Sequence, residues 1–177
     1  MGHLLSLCQL DEIKIEDAKV VLAIDAPLGF PAAFRTLLLS EPMSGEIGTS
    51  AKNEYLYRLT ERRLFSEGVQ PLSAIKDMIG SQATKAMHVV AKFAPKSNEV
   101  GVWTDGGNFT VIETYPALCR DRLGHTKPDL FGREADIADA RVCAHIAQEF
   151  RKRRENLEAP VEGVPEGEGW IWAPFRQ

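Results

Sequence analysis

Ala18-Lys-Val-Val-Leu-Ala-Ile-Asp-Ala-Pro-Leu-Gly-Phe-Pro31 sets a short apolar run, an acid and a proline-marked turn in immediate succession. The length and β-branched content of the run predict a central strand buried on both faces, as in an α/β sheet. Pro27 and Pro31 lack N–H donors and Gly29 tolerates unusual backbone angles, so the chain turns directly after the strand. Asp25 is thereby placed at a strand's carboxyl end, where open α/β sheets bind ligands.

A second stretch, Glu134-Ala-Asp-Ile-Ala-Asp-Ala-Arg-Val-Cys-Ala-His-Ile-Ala-Gln-Glu-Phe150, has helical periodicity with two acids on its apolar stripe. At roughly 100° per residue, Asp136 and Asp139 fall among Ile137, Ala140, Cys143, Ala144, Ile146, Ala147 and Phe150, while Arg141, His145, Gln148 and Glu149 lie opposite. Inward carboxylates need a metal, a basic side chain, N–H donors or water. They also suit a helix start, with Asp136 as N-cap and Asp139 three places inside. On this segment alone both readings stand.

The intervening chain supplies further elements. Ser50 is a candidate cap for a helix from about 51 to 66, closed by Gly68 and Pro71. Its Arg58, Glu61, Arg62 and Arg63 form either a solvated face of i,i+3 and i,i+4 pairs or a phosphate clamp. Residues 40–50 read as a loop. Ser73 is expected to cap a helical stretch that breaks near Gly80-Ser81 and resumes from Gln82 to about Phe93, with Ala83, Met87, Val90 and Ala91 as its buried face. Two β-rich runs flank Asp105-Gly106-Gly107-Asn108, a strong hairpin signal, and the second ends in Glu113. A short helix follows from Pro116 to Leu123. Residues 155–169 are rich in Glu, Gly and Pro, and Trp170-Ile-Trp172 reads as a closing strand or anchor.

The 177 residues are 44% hydrophobic and 26% charged with a net charge of −4, which describes a globular chain of one domain with a substantial core. No stretch approaches the roughly 18 apolar residues of a membrane span. The start lacks the basic region and apolar length of a signal peptide. Cys8, Cys119 and Cys143 are too few and too scattered for a disulfide framework or a zinc motif, so a reducing, cytoplasmic setting is expected. Mild acidity argues against a broad nucleic-acid surface, though not against a local one. Loop His125 reads as a solvated residue, and neither Cys119 nor Cys143 has a sequence-evident base that would make it a nucleophile.

Asp25, Glu113 and the pair Asp136 and Asp139 occupy comparable places at element ends. Hard Mg²⁺ or Mn²⁺ prefers oxygen ligands, and metal-dependent phosphoryl transfer needs such an acidic cluster. Taken together, Ile24-Asp-Ala-Pro-Leu-Gly-Phe-Pro31, Arg58-Leu-Thr-Glu-Arg62, Gly80-Ser-Gln82, Val111-Ile-Glu-Thr-Tyr-Pro116, Asp136-Ile-Ala-Asp-Ala140 and Gly169-Trp-Ile-Trp-Ala-Pro174 resemble the predicted RNase H-like nucleases grouped as domain of unknown function 429. The order of these motifs matches along nearly the whole chain.

The resemblance implies an RNase H-like fold, a mixed central sheet flanked by helices, with divalent-metal nuclease activity on a nucleic acid or nucleotide. It implies Asp25, Glu113 and Asp139 as the catalytic acids, with Asp25, Asp139 and the supporting Asp136 toward Mg²⁺ or Mn²⁺. It implies Arg62 and Gln82 toward substrate, and Lys127 is a further candidate to face phosphate. Glu61 stands where the family often has Asp, and Ala117 where some members have a second Glu, so no role is carried over to either. The family's fold opens with a three-stranded β-meander that residues 1–17 cannot hold. The expected chain is therefore an N-terminally shortened member, with residues 3–9 as the end of the following helix and a sheet edge left open for a homodimer contact. Two other classes stay open. One is a nucleotide-binding phosphotransfer protein of the related actin-like superfold. The other is a structural protein in which Asp136 and Asp139 pair with Arg58, Arg62 or Arg63.

Overall fold

Among the described residues, alternating side chains divide a four-stranded sheet between two cores. The strands are β1 (Val20–Ile24), β2 (Lys96–Glu99), β3 (Val102–Thr104) and β4 (Phe109–Glu113), in the spatial order β1-β4-β3-β2. The computed structural model describes residues 18–41, 47–48, 50–126 and 129–176. Residues 3–9, Cys8, most of the 40–50 loop's centre and Lys127 lie outside these described residues.

β1 runs parallel to β4, with Val20 opposite Phe109 and Ile24 opposite Glu113, whereas β2–β3 and β3–β4 are antiparallel. The sheet is thus mixed, and the chain is α/β. The hairpin forms where the glycine-rich signal lies: the Asp105 carboxylate accepts from the N–H groups of Gly107 (2.7 Å) and Phe109 (3.1 Å), closing the loop on itself.

Among the described residues five helices flank the sheet: α1 (Ala32–Leu38), α2 (Leu59–Ser66), α3 (Asp77–Phe93), α4 (Pro116–Arg122) and α5 (Arg133–Lys152). On one face Ala23, Ile112 and Val102 pack with Leu64 of α2, Leu118 and Cys119 of α4, Cys143 and Ile146 of α5, and Trp170 and Trp172 of the tail. On the other, Phe109 and Val111 meet Ala86 and Val90 of α3, with Val20, Leu22 and Ile24 alongside. This period-2 partition is what one strand buried against helices on both faces requires.

Several sequence expectations are corrected. β1 is not the fully buried central strand: among its residues Ala23 alone is buried, because β4 is its single strand neighbour among the described residues and a groove opens along its other edge. That is the edge to which the sequence assigns a dimer contact. The helix expected over 51–66 is instead a single 3₁₀ turn at Ser50–Lys52 and the shorter α2. The Asn53 side chain accepts from the Tyr55 N–H (3.0 Å), a local turn that competes with helix, and Arg58 is extended. Ser73 does not cap a helix; its hydroxyl donates to the Leu56 carbonyl (2.6 Å), and α3 starts at Asp77 and passes through Gly80-Ser81 without a break. Ala91 is exposed, and Ala86 takes its place on the buried face of α3.

The Glu- and Gly-rich tail is an organiser of the fold. Ile171 bridges to Glu113, the Trp172 N–H donates to the Glu113 carbonyl (2.9 Å), and the Trp172 indole donates to the Gly101 carbonyl (2.9 Å). The buried carboxylate of Glu168 accepts the first N–H of α1, from Ala32, and the first N–H of α2, from Leu59, each at 2.7 Å. One negative charge thus satisfies orphan donors at two helix starts, where the macrodipoles favour it. With caps costing about 0.5–2 kcal/mol each when removed, Glu168→Ala is expected to lower stability by roughly 1–4 kcal/mol in urea unfolding. The same change at exposed Glu162 should stay within about 0.5 kcal/mol.

Candidate functional site

Because Ile24 and Glu113 are register partners on parallel strands, Asp25 and Glu113 emerge together at one carboxyl end of the sheet. The turn after Asp25 is fixed by the Leu28 N–H, which donates to Glu113 Oε2 (2.9 Å). Gly29 has a steric reason to be glycine: a Cβ there would fall 2.3 Å from the Gly167 carbonyl oxygen and 2.4 Å from that of Glu168. The tail crosses directly over this turn. α5 packs along β1 and carries Asp139 to the same place.

Asp25 feels this crowding. Its carboxyl is pushed up to about 6, first by desolvation and then by the charges of Asp139 and Glu113, with Arg120 opposing. Asp139 forms an ion pair with Arg120 of α4, whose start is set by Pro116 at the first helical position. Asp136, one turn earlier on α5, is exposed, so the inward placement read from the helical wheel holds for Asp139 only in part and fails for Asp136. The reason is the groove of about 540 Å³ between β1 and α5, which also leaves Ala140 and Ala144 exposed. The capping alternative fails as well, since the N-cap of α5 is Gly132.

Glu113 has a different environment. Arg58, fully buried, donates to Glu113 Oε2 from Nη1 (2.7 Å) and to Oε1 from Nη2 (2.6 Å). It also donates to Glu61 Oε1 from Nε (3.0 Å) and Nη2 (2.7 Å), and to the Glu168 carbonyl from Nη1 (2.9 Å). All five guanidinium N–H groups are used. Burial opposes the charge on Arg58, but Glu113 and then Glu61 more than offset it and hold the group charged above its usual range. Glu61 is raised by desolvation, with Arg58 working against the rise. The Arg58–Glu61 pair foreseen in the sequence is therefore real, but it is a core pair and no solvated face.

The other candidates separate. Gln82 lines a cavity beside Asp25 together with Tyr115, Arg58 and Glu61. Arg62 pairs with Glu54 and lines neither recess that Asp25 borders. Arg63 lies over the Trp170 ring at 5.6 Å. The structural alternative that pairs Asp139 with Arg58, Arg62 or Arg63 is replaced by pairing with Arg120. His125 is exposed, as expected. Desolvation raises the thiols of Cys119 and Cys143, the latter to about 12, which keeps both protonated and inert.

Sequence reasoning missed Arg120, the burial of Arg58, Tyr115 and Glu168. Arg120 and Asp139 are 19 residues apart on different helices, so no periodicity links them. Glu168 left a faint signal, a lone charge between Gly167 and Gly169 just before a tryptophan anchor.

Among the described residues no group of three or more His, Cys, Asp or Glu side chains is arranged to hold a metal ion. The donor chemistry of Asp25 and Asp139 nevertheless suits Mg²⁺, which commonly binds through one or two carboxylates and completes its shell with water and substrate phosphate. Among the described residues no helix is long and apolar enough to cross a membrane. Comparison of the chain with protein-family models, with curated proteins and with solved structures returns no match.

The raised Asp25 carboxyl has a signed consequence. Between about pH 4 and 6 the folded state keeps a proton that the unfolded chain releases, so this group's stabilising contribution is full below pH 4 and lost as pH rises through 6. Because Asp25 is also exposed to the clefts, solvent screening reduces the effect to about 1 kcal/mol. In chelator-containing buffer, Asp25→Asn is expected to exceed the parent protein's unfolding free energy by about that much at pH 7.5 and to match it at pH 4, as read by urea titration.

Proposed function

We propose that the chain is a divalent-cation-dependent nuclease of RNase H-like type, related to the proteins of domain of unknown function 429. The observation that carries this is the convergence of Asp25 and Asp139 at the carboxyl end of the β1–β4 parallel pair, near enough for Asp139 to raise the Asp25 carboxyl. Two carboxylates in such a place are the protein's usual contribution to a Mg²⁺ or Mn²⁺ site that acts on phosphate esters. When bound there, the cation supplies an activated water and neutralises charge on the phosphate.

The residues of the chain divide the remaining work. Asp25 and Asp139 would hold the cation, and Asp136 would add negative potential at the groove. Arg120, which pairs with Asp139 in the free protein, would be available to the substrate phosphate once Asp139 holds the cation. Glu113 positions: with its oxygens engaged by Arg58 and the Leu28 N–H, it holds the turn that presents Asp25. Gln82 stands on the wall where substrate would enter.

A non-catalytic reading has one observation in its favour: Glu113 and Asp139 already have arginine partners. Mn²⁺ separates the two. At a concentration 100 times the dissociation constant, a single site adds about 2.7 kcal/mol, which for a domain of this size is a Tm increase of roughly 5–10 °C. The expected result is a saturable Tm increase in the parent protein, absent in Asp139→Asn, together with Mn²⁺-dependent cleavage of an oligonucleotide that falls at least about 100-fold in that variant. An equal response in both proteins, or none in either, would leave the chain a scaffold. Nucleotide-specific stabilisation without strand cleavage would instead favour actin-like phosphotransfer chemistry.

A further inference from the structure

Asp25 borders two recesses. Beyond the groove against α5 there is a cavity of about 130 Å³ whose walls include Pro27, Pro71, Leu72, Ile79, Gln82 and Tyr115. Its floor is the buried Arg58–Glu61–Glu113 network, with every guanidinium N–H committed. Neighbouring polar groups are committed too: the Thr114 hydroxyl donates to the Trp172 carbonyl (2.9 Å) and that of Ser73 to the Leu56 carbonyl (2.6 Å). The Gln82 amide and the Tyr115 hydroxyl, by contrast, make no hydrogen bond among the described residues.

A mostly apolar recess with a few convergent, uncommitted polar groups is the ordinary form of a small-ligand site. Size narrows the ligand. An apolar cavity of about 150 Å³ holds benzene, so a recess of 130 Å³ matches the volume of one six-membered ring. Chemistry narrows it further. A primary amide offers a donor and an acceptor side by side, the arrangement that pairs with the edge of a nucleobase, and a tyrosine ring offers a stacking face. The same recess contains Asp25, so a ring seated there brings an attached phosphate to the acidic site.

We propose that this cavity takes a pyrimidine base, with Gln82 reading its edge and Tyr115 stacking on it, so that the substrate is a pyrimidine nucleotide unit, either free or within a single strand. The phosphate half of this assignment rests on the nuclease reading; the base half stands on the cavity alone. The larger groove along β1 takes the rest of a strand, and the exposed Leu72 at 59% accessibility offers an apolar rim for the neighbouring base.

Fluorescence anisotropy of labelled oligo-dT and oligo-dA, with Ca²⁺ replacing Mn²⁺ to suppress cleavage, tests it. Oligo-dT is expected to bind roughly tenfold more tightly than oligo-dA, and Gln82→Ala to abolish that preference, in keeping with the usual contribution of one base contact. Gln82 is exposed on α3 and alanine favours helix, so this variant is expected to fold and to retain the Mn²⁺-dependent Tm increase. Competition by UMP would assign the site to free nucleotide, and competition by unlabelled oligo-dT alone would assign it to a single strand; either outcome supports the pyrimidine pocket. Equal binding of the two oligonucleotides, or an unchanged preference in Gln82→Ala, would overturn it even if the Mn²⁺ response is present. A thymine preference without any Mn²⁺ response would overturn the nuclease reading and keep the pocket.

Discussion

The guanidinium of Arg58 joins four parts of the chain that are far apart in sequence. It meets Glu61 in the first turn of α2, Glu113 at the end of β4 and the Glu168 carbonyl in the tail, and through Glu113 it reaches the Leu28 turn. A buried charge removed from water costs several kcal/mol unless its partners are placed with good geometry. Here five donors meet carboxylate and carbonyl oxygens at 2.6–3.0 Å. The arrangement is intolerant of displacement in any of the four segments. A shift of the tail would orphan a guanidinium donor, and a shift of β4 would orphan two.

That intolerance makes the tail part of the site although it contributes no candidate reactive group. Glu168 caps two helices with its carboxylate while its carbonyl serves Arg58. Arg154 lies over the rings of Phe150 (4.6 Å) and Trp172 (4.4 Å) and pairs with Glu99, which ties α5, the tail and the β2–β3 hairpin together. The backbone over Gly29 is then held close enough that the Asp25 turn has little freedom. Precision at Asp25 is supplied from more than 130 residues away, by packing and charge, and not by the strand that bears it.

Elements governed by local signals were legible in the sequence. The strand before Asp25, the hairpin at Asp105, the short helix at Pro116 and the long C-terminal helix all follow from periodicity and turn chemistry. What was illegible depended on partners remote along the chain. Arg58 and Glu61 carry the i,i+3 spacing of a surface pair, and nothing nearby says that β4 and the tail will close over them. The stripe on α5 points inward by its helical periodicity, but the groove beside β1 leaves Ala140, Ala144 and Asp136 exposed. Of the candidate site, Asp25, Asp139 and Gln82 are named by the sequence, while Arg120 is not, since its partner lies on another helix.

The charges around Asp25 are unevenly matched, and that imbalance bears on function. Glu113 is answered by Arg58 and Asp139 by Arg120, each at hydrogen-bonding range, whereas Arg120 only partly relieves Asp25 and, among the described residues, no ion pair holds it. Its carboxyl responds by holding its proton to about pH 6, a cost that the fold carries at neutral pH. Folding alone gives no reason to keep an acid there, since an uncharged side chain of the same shape would avoid the cost. Departures from local consistency of this kind concentrate where a ligand later supplies the missing charge. On the reading proposed above, a divalent cation would be that ligand in its simplest form: it would displace the proton from Asp25, share its charge with Asp139 and free Arg120 for phosphate.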